Sequence, residues 1–183
     1  TTVAAGTHNR SLTGSLMLGN AAVYGGASSA TSAVPAGTAM ILSSDAGLVP
    51  GSAEANLCYS SRDGGNALNP ALVAGKIVVC DRGVTDRVNK SLAVKEAGGV
   101  GMVLLNPSPN SLNPDFHSVP SVHLPDTART AVRTYVGSPP SGTGAISMGT
   151  LSLAVAAPFT ASFSSRGPSN AAPVWDLLKP DIM

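Results

Sequence analysis

Charged side chains are scarce in this sequence. Of its 183 residues, 11% are Asp, Glu, Lys or Arg, whereas a typical globular domain carries about 25%. The net charge of +1 comes without a basic stripe or an acidic tail. Nucleic acid and anionic membrane surfaces are therefore excluded as expected partners, because both attract clustered positive charge. A membrane span is excluded too, since no apolar run approaches the ~20 residues that it requires.

Aromatic residues are also scarce, at 4% of the chain against 43% for apolar residues of all kinds. A core must therefore be built mainly from Val, Leu, Ile and Ala, the mixture that buried sheets favour. Ser, Thr, Asn, Gly and Pro are left to cover the surface, which favours a secreted protein. The length fits one domain with flanking pieces of another. The lack of an initiator Met and of a signal peptide indicates a fragment.

The sequence has only two cysteines, Cys58 and Cys80. In an extracellular protein such a pair predicts a disulfide, whereas in the cytosol two separate buried thiols are the default. A bridge would stabilise the fold by roughly 3 kcal/mol in the chain-entropy model. The composition favours the bridge and leaves the thiols as the alternative.

The clearest secondary-structure signal lies in the middle of the chain. Continuous apolar runs at 76–80 and 100–106 predict buried strands, and the segment between them has helical spacing. A strand, a helix of ~15 residues and a second strand form a βαβ unit, so the two strands should be parallel. For the helix we predict an N-cap at Thr85 or Asp86, an inward face of Val88, Leu92 and the stem of Lys95, and an end at Gly98 and Gly99.

The remaining pattern predicts short strands and one more helix. The helix is capped by Asp126 and should share one face among Ala128, Ala131, Val132 and Tyr135. The region 21–37 reads as a small-residue loop, as does 45–57. The coarse prediction is a β-rich α+β body over 21–153, with further strands at 1–6, 11–20, 39–43, 118–125, 145–156 and 158–164.

Asp115, His117 and His123 are the candidate metal ligands. Their spacing matches no compact ligand pattern, and the cysteines that usually accompany zinc-binding histidines lie elsewhere. We therefore interpret His117 and His123 as surface or rim histidines and His8 as exposed, and we assign no metal site and no cofactor.

The candidate nucleophiles also lack their usual surroundings. Ser164 and Ser165 stand outside a Gly-x-Ser-x-Gly elbow, and Ala39 occupies the serine position of a Gly-Thr-Ser-Met-like stretch. The Asp-Thr-Ala stretch at Asp126 is better explained as a helix cap. From these residues the sequence predicts a domain with no catalytic residue.

Two Asn-x-Ser triplets, at Asn9 and Asn89, match the acceptor pattern for N-linked glycans. They matter only if the source is eukaryotic.

The two ends, "TTVAAGTHNR" and "ASFSSRGPS…LKPDIM", resemble consecutive pieces of a subtilisin-like serine protease catalytic domain. Between them, "LVAGKIVVCDRG", "AVKEAGGVGMVLLN" and "SVPSVHLP" resemble a protease-associated (PA) domain of plant-type subtilases, over most of residues 69–135. The resemblance implies a swivelling β/β/α fold with catalytic-domain flanks at 1–20 and 156–183 and a PA domain at 21–155. It also implies that the flanks pair with each other, and that 166–183 is locally disordered.

The same resemblance implies what the chain does. The family segments that carry the triad aspartate, histidine and serine are absent, and so is the oxyanion-hole asparagine, so the chain alone should not be an enzyme. Cys58 and Cys80 match a cysteine pair of plant-type members. The implied role is modulation of substrate access or binding in a secreted endopeptidase, with dimerisation as the alternative. The expected partners are the rest of the catalytic domain, polypeptide substrates and a second copy of the chain.

Overall fold

The computed structural model describes residues 4–138, 142–154, 156–161 and 164. The chain divides into a larger compact unit, Leu12–Thr150, and a smaller unit, Thr1–Ser11 with Leu151–Met183. The predicted domain boundaries, after residues 20 and 155, lie several residues further along and stay a prediction. In the part of the chain that the structure describes, no helix is long and apolar enough to cross a membrane.

The larger unit is a ring of strands. Seven strands follow the order β2-β6-β5-β4-β3-β7-β1, and β2 also pairs with β1, so these strands close on themselves. Closure leaves few unpaired strand edges. The strands are β1 (Ser11–Leu18), β2 (Val23–Ala27), β3 (Val34–Leu42), β4 (Ile77–Asp81), β5 (Gly101–Leu105), β6 (Ser121–Leu124), β7 (Thr143–Ile146) and β8 (Thr150–Ser152).

The strands β3, β4, β5 and β6 are parallel to one another, which confirms the predicted parallel unit. Every residue of β4 and β5 is buried. In β4, Ile77 and Val79 face one apolar core, whereas Val78 and Cys80 face a second core on the other side. Burial on both faces explains why these strands read as unbroken apolar runs.

Two helices cover these cores, and three short helical turns accompany them. The helices are α3 (Arg87–Glu96) and α4 (Asp126–Gly137), and the turns are α1 (Ala53–Asn56), a 3-10 turn (Ser61–Asp63) and α2 (Pro70–Val73). The predicted start of α3 at Asp86 is confirmed, and Gly98, with φ +79°, ends it as expected. The turn α1 lies inside the region 45–57 that the sequence suggested was loop.

Both predicted helix faces need correction. In α3 the buried residues are Lys90, Ser91, Ala93 and Val94. Of the predicted face, Val88 and Lys95 are exposed and Leu92 is half-buried. The face was missed because a lysine in a helix usually faces water. Lys90 can be buried because its stem is apolar and its amine finds polar partners inside. In α4, Ala128, Val132 and Val136 are buried and Tyr135 packs against the core, so only Ala131, which is exposed, departs from the predicted face. Asp126 is the first helical residue and makes no side-chain capping bond; the N-cap is Pro125.

The prediction of a loop at 21–37 is wrong. The strand β2 and the start of β3 lie there, in a stretch where glycine and serine conceal the alternation of a strand. At Gly26 a Cβ atom would lie 2.3 Å from the His123 carbonyl oxygen, so only glycine fits against β6. Likewise the single strand predicted at 145–156 is divided into β7 and β8.

Among the described residues of the smaller unit, Gly6 and Thr160 form an antiparallel bridge. The Thr7 N–H donates to the Phe159 carbonyl (2.8 Å), and the Ala161 N–H donates to the Ala5 carbonyl (2.8 Å). The two flanking segments therefore pair as predicted, although the described residues of 158–164 form a bridge instead of a strand. Residues 1–3 of the first predicted strand and the segment 166–183 lie outside the described residues.

Candidate functional site

Polar side chains gather where the parallel strands reach their carboxyl ends, the edge at which open α/β sheets usually place ligands. Asp81 ends β4, Asn106 follows β5, and His123 lies in β6. All three are buried, with Asn106 fully so. Each has internal hydrogen-bond partners, so these groups organise the loops around the edge.

His123 is buried, which overturns its interpretation as a rim histidine. Its Nδ1 accepts the Asn113 N–H (3.1 Å), and its Nε2 lies 2.8 Å from the Asn106 Oδ1. Asn106 in turn donates from Nδ2 to the carbonyls of Asn110 and Ser111. Burial, followed by the charge of Arg82, lowers the pKa of His123 to about 4. A neutral ring therefore holds the loop 106–113 from both of its nitrogens.

The three candidate metal ligands do not converge. Asp115 forms an ion pair with Arg87, which lowers the pKa of the carboxyl. His117 contacts the Ser91 Oγ through Nδ1 (3.0 Å), and burial lowers its pKa. Among the described residues, no group of three His, Cys, Asp or Glu side chains could hold a metal ion.

An open groove of about 300 Å³ lies between residues 29–32, which follow β2, and residues 116–121, which lead into β6. The ring of Phe116 stands at its rim and is 86% exposed. Thr31, Ser32 and Ser118 supply hydroxyls that make no hydrogen bond within the described part of the chain. An aromatic ring beside unengaged hydroxyls is a surface suited to binding a partner.

A second polar cluster ties β4 to α4. The buried carboxylate of Asp81 accepts bonds from Arg129 at Nε (3.1 Å) and Nη2 (2.6 Å). It also accepts from Arg133 (3.3 Å) and from the Asn56 Nδ2 (3.1 Å). With four donors on one carboxylate, this cluster fixes the position of α4 and holds no free group for chemistry.

Lys90 is a buried cation whose burial no sequence pattern indicated. Its Nζ donates to the Leu57 carbonyl (2.6 Å) and to the Thr85 Oγ1 (2.7 Å), and burial lowers its pKa to about 8. The next residue after Leu57 is Cys58, which forms a disulfide with Cys80. The amine and the disulfide together hold the segment around α1 against the parallel strands.

The residues that imitate catalytic motifs lie in different elements. Ala39 is in β3, and Asp126 starts α4. The Ser164 Oγ accepts the Ala5 N–H (3.1 Å) in the smaller unit, and Ser165 lies outside the described residues. Of the two glycosylation triplets, Asn9 is exposed, whereas the Asn89 Nδ2 donates to the Asp63 Oδ1 (3.0 Å) within the larger unit.

Comparison with known proteins links this arrangement to proteases. The PA domain family model matches residues 44–132. The chain is similar to the subtilisin-like protease SBT1.7 of Arabidopsis thaliana, with 38% identity over 187 residues, which is 100% of the chain and 24% of the relative. It is similar to SBT1.4 of the same plant at 38% identity, covering 100% of the chain and 22% of the relative. The chain thus spans about a quarter of the length of these relatives.

Among solved structures, an aminopeptidase from Aneurinibacillus sp. strain AM-1 matches with 15% identity and a TM-score of 0.49, covering 82% of the chain and 34% of the enzyme.

Proposed function

The chain is a PA-domain segment of the subtilisin-like protease family, and on that premise we propose that it is a non-catalytic module which modulates the access or binding of polypeptide substrates in a secreted endopeptidase. The whole-length similarity to these proteases carries the proposal. The open groove beside Phe116 supports it, because it offers a binding surface on the larger unit.

We propose that the module is inserted between two pieces of the parent's catalytic domain, at 1–20 and 156–183. An insertion at a turn requires that its two ends lie close together. The bridge between Gly6 and Thr160 supports this arrangement, since it joins the two flanking segments. The catalytic triad and the oxyanion asparagine would then come from parts of the parent outside this chain.

The test is Phe116→Ala in the full-length parent. Phe116 is 86% exposed, so its removal should leave the fold intact. We expect kcat/KM for casein to fall about five- to tenfold, the effect of losing roughly 1 kcal/mol of contact. The value for a tripeptide chromogenic substrate should not change, because so short a substrate occupies the catalytic cleft alone.

The matched control is Val84→Ala, which removes an equally exposed apolar side chain (85%) outside the groove. It should leave both substrates unaffected. An equal loss on casein and on the tripeptide, or no loss on either, would contradict the proposal.

A second candidate function is dimerisation, which a different surface favours. Leu48 and Val49 are 59% and 67% exposed and line, with Ala67, an open pocket of about 340 Å³. Exposed neighbouring apolar side chains are typical of contact surfaces. If this face pairs two copies, sedimentation should show a dimer that Val49→Asp converts to a monomer. A wild-type chain that stays monomeric at high concentration would remove this candidate.

A further inference from the structure

The groove lies where the pairing of two strands stops early. The strands β2 and β6 are antiparallel neighbours, yet only one residue pair joins them, Ala27 with His123. Beyond that pair the segments next to the two strands form the groove walls, residues 29–32 and 116–121. The groove is therefore a gap between two loop segments, which bend at residues 31–32 and at residues 118–119.

Two serine hydroxyls occupy the place of the missing backbone ladder. The Ser28 Oγ donates to the Ser121 carbonyl (2.8 Å), and the Ser29 Oγ donates to the Asp115 carbonyl (2.6 Å). Because a side chain now stands between the two backbones, the walls are held apart while remaining tied. The groove is in this way a fixed feature of the fold, available to a third segment.

The lining carries no fixed charge. All ten residues of the two walls are Ser, Thr, Ala, Val, Pro, Phe or His. Asp115, which precedes Phe116 in the chain, is paired with Arg87. A charged ligand group that entered the groove would lose water without gaining an opposite charge, which is costly. The groove therefore favours an uncharged occupant.

Hydrogen bonds to Ser91 fix the protonation of His117. The single proton of the Ser91 Oγ goes to the Val88 carbonyl (2.7 Å), and this oxygen also accepts the Ser118 N–H (3.0 Å). The His117 Nδ1, 3.0 Å from the same oxygen, must therefore be the donor. In the neutral ring this leaves Nε2 as a hydrogen-bond acceptor in a residue that lines the groove.

We infer that the groove binds an extended, uncharged polypeptide segment, whose backbone bonds to the groove hydroxyls and to His117 and whose apolar side chain packs on Phe116. This inference rests on the proposed function, because it names the class of substrate segment that the module holds. An extended segment suits a gap that opens where the pairing of β2 with β6 stops, and alternate side chains then supply selectivity.

The experiment is a titration of the ¹⁵N-labelled 183-residue chain followed by amide NMR shifts. The probes are the blocked hexapeptide Ac-Ala-Val-Ser-Leu-Thr-Ala-NH2, its two versions with Asp or Lys in place of Ser, and cellohexaose. We expect the neutral peptide to shift the amide signals of residues 29–32 and 116–121. Both charged versions should bind at least about fivefold more weakly than the neutral peptide. Phe116→Ala should weaken binding of the neutral peptide about five- to tenfold, whereas Val84→Ala should not.

Equal binding of the charged peptides, shifts outside the groove, flat titrations, or binding of cellohexaose alone would each overturn the inference. The outcome is separable from that of the proposed function. A flat peptide titration together with a casein-specific loss in the Phe116→Ala parent rejects only this inference. Peptide binding by the chain together with an unchanged parent rejects the proposed function.

Discussion

The ring joins two kinds of strand. On the parallel side, β4 and β5 are buried at every position and separate two apolar cores. On the antiparallel side, β2 alternates between exposed and half-buried residues and is buried only at Ala27. There, hydroxyls bond to backbone groups, as when the Ser147 Oγ accepts the Ser15 N–H (2.9 Å). One side is thus held mainly by apolar burial and the other mainly by backbone pairing and close approach.

Glycines stand where the two sides meet. At the first junction, Gly26 of β2 lies against the backbone of His123 in β6. At the second, Gly144 of β7 pairs with β1 and β3, and a Cβ atom there would lie 2.6 Å from the Met40 Sδ. At Gly26 a side chain would meet fixed backbone, whereas at Gly144 it would displace the buried Met40 side chain. Ring closure depends on space as well as on apolar area.

Substitution of one buried leucine on each side has the largest expected effect on this comparison. Leu104 in β5 and Leu16 in β1 are both fully buried. Because each side chain fills a core, Leu104→Ala and Leu16→Ala should each lower the free energy of unfolding by about 2–5 kcal/mol in urea denaturation.

Met17→Ala, at a neighbouring position that is 40% exposed, serves as the control and should cost less than about 1 kcal/mol. A loss below about 1 kcal/mol for Leu16→Ala beside a large loss for Leu104→Ala would mean that the antiparallel side adds little stability. The parallel strands would then be essential for stability and the antiparallel strands accessory.

The parallel side could be predicted from the sequence because local residue patterns reveal its buried strands and the end of its helix. Val78, Val79 and their neighbours form an unbroken apolar run, and Gly98 marks the end of the helix that follows. The strand β2 could not be predicted, since Gly25 and Gly26 leave no alternation to detect. The glycine was required by a backbone oxygen of His123, nearly a hundred residues away, which no local pattern reveals.

The candidate site was predictable only in part. The cysteine pair was expected, and the structure joins Cys58 to Cys80. The inward direction of Lys90 was hidden because charged residues in helices usually face water. His123 stood in an apolar strand between Val122 and Leu124, a signal that could have revealed its burial.

Acidification should weaken the carboxyl edge of the parallel side. The unfolded His123 binds a proton below pH 6.5, whereas in the folded chain burial and the charges of Arg82 and Arg87 lower its pKa to about 4, with Asp115 partly opposing them. The unfolded state therefore takes up a proton first, so stability is full above pH 6.5 and decreases as the pH falls towards 4. The expected loss is about 3 kcal/mol at 1.36 kcal/mol per pKa unit.

Urea denaturation between pH 7 and pH 4.5 measures this loss, and hydrogen exchange of the Asn113 amide reports the loop directly. His123→Gln should reduce the pH dependence, whereas His8→Gln, at an exposed position, should not. If the free energy of unfolding of His123→Gln depended on pH as steeply as that of the wild type, the acid sensitivity would belong to other groups. The carboxyl edge would then be no more acid-sensitive than the strands.

The smallest effect tests the junction between the two sides with neighbouring glycines of β2. In Gly26→Ala the new Cβ would lie 2.3 Å from the His123 carbonyl oxygen, whereas at Gly25 nothing lies within 4 Å. We expect Gly26→Ala to cost about 1–3 kcal/mol, the usual effect of overpacking, and to speed amide exchange at Ala27 and His123. Gly25→Ala should be neutral or stabilise by up to about 1 kcal/mol, because alanine restricts the unfolded chain. Equal effects at both positions would mean that β2 already moves freely against β6, and the ring would then be open at this junction.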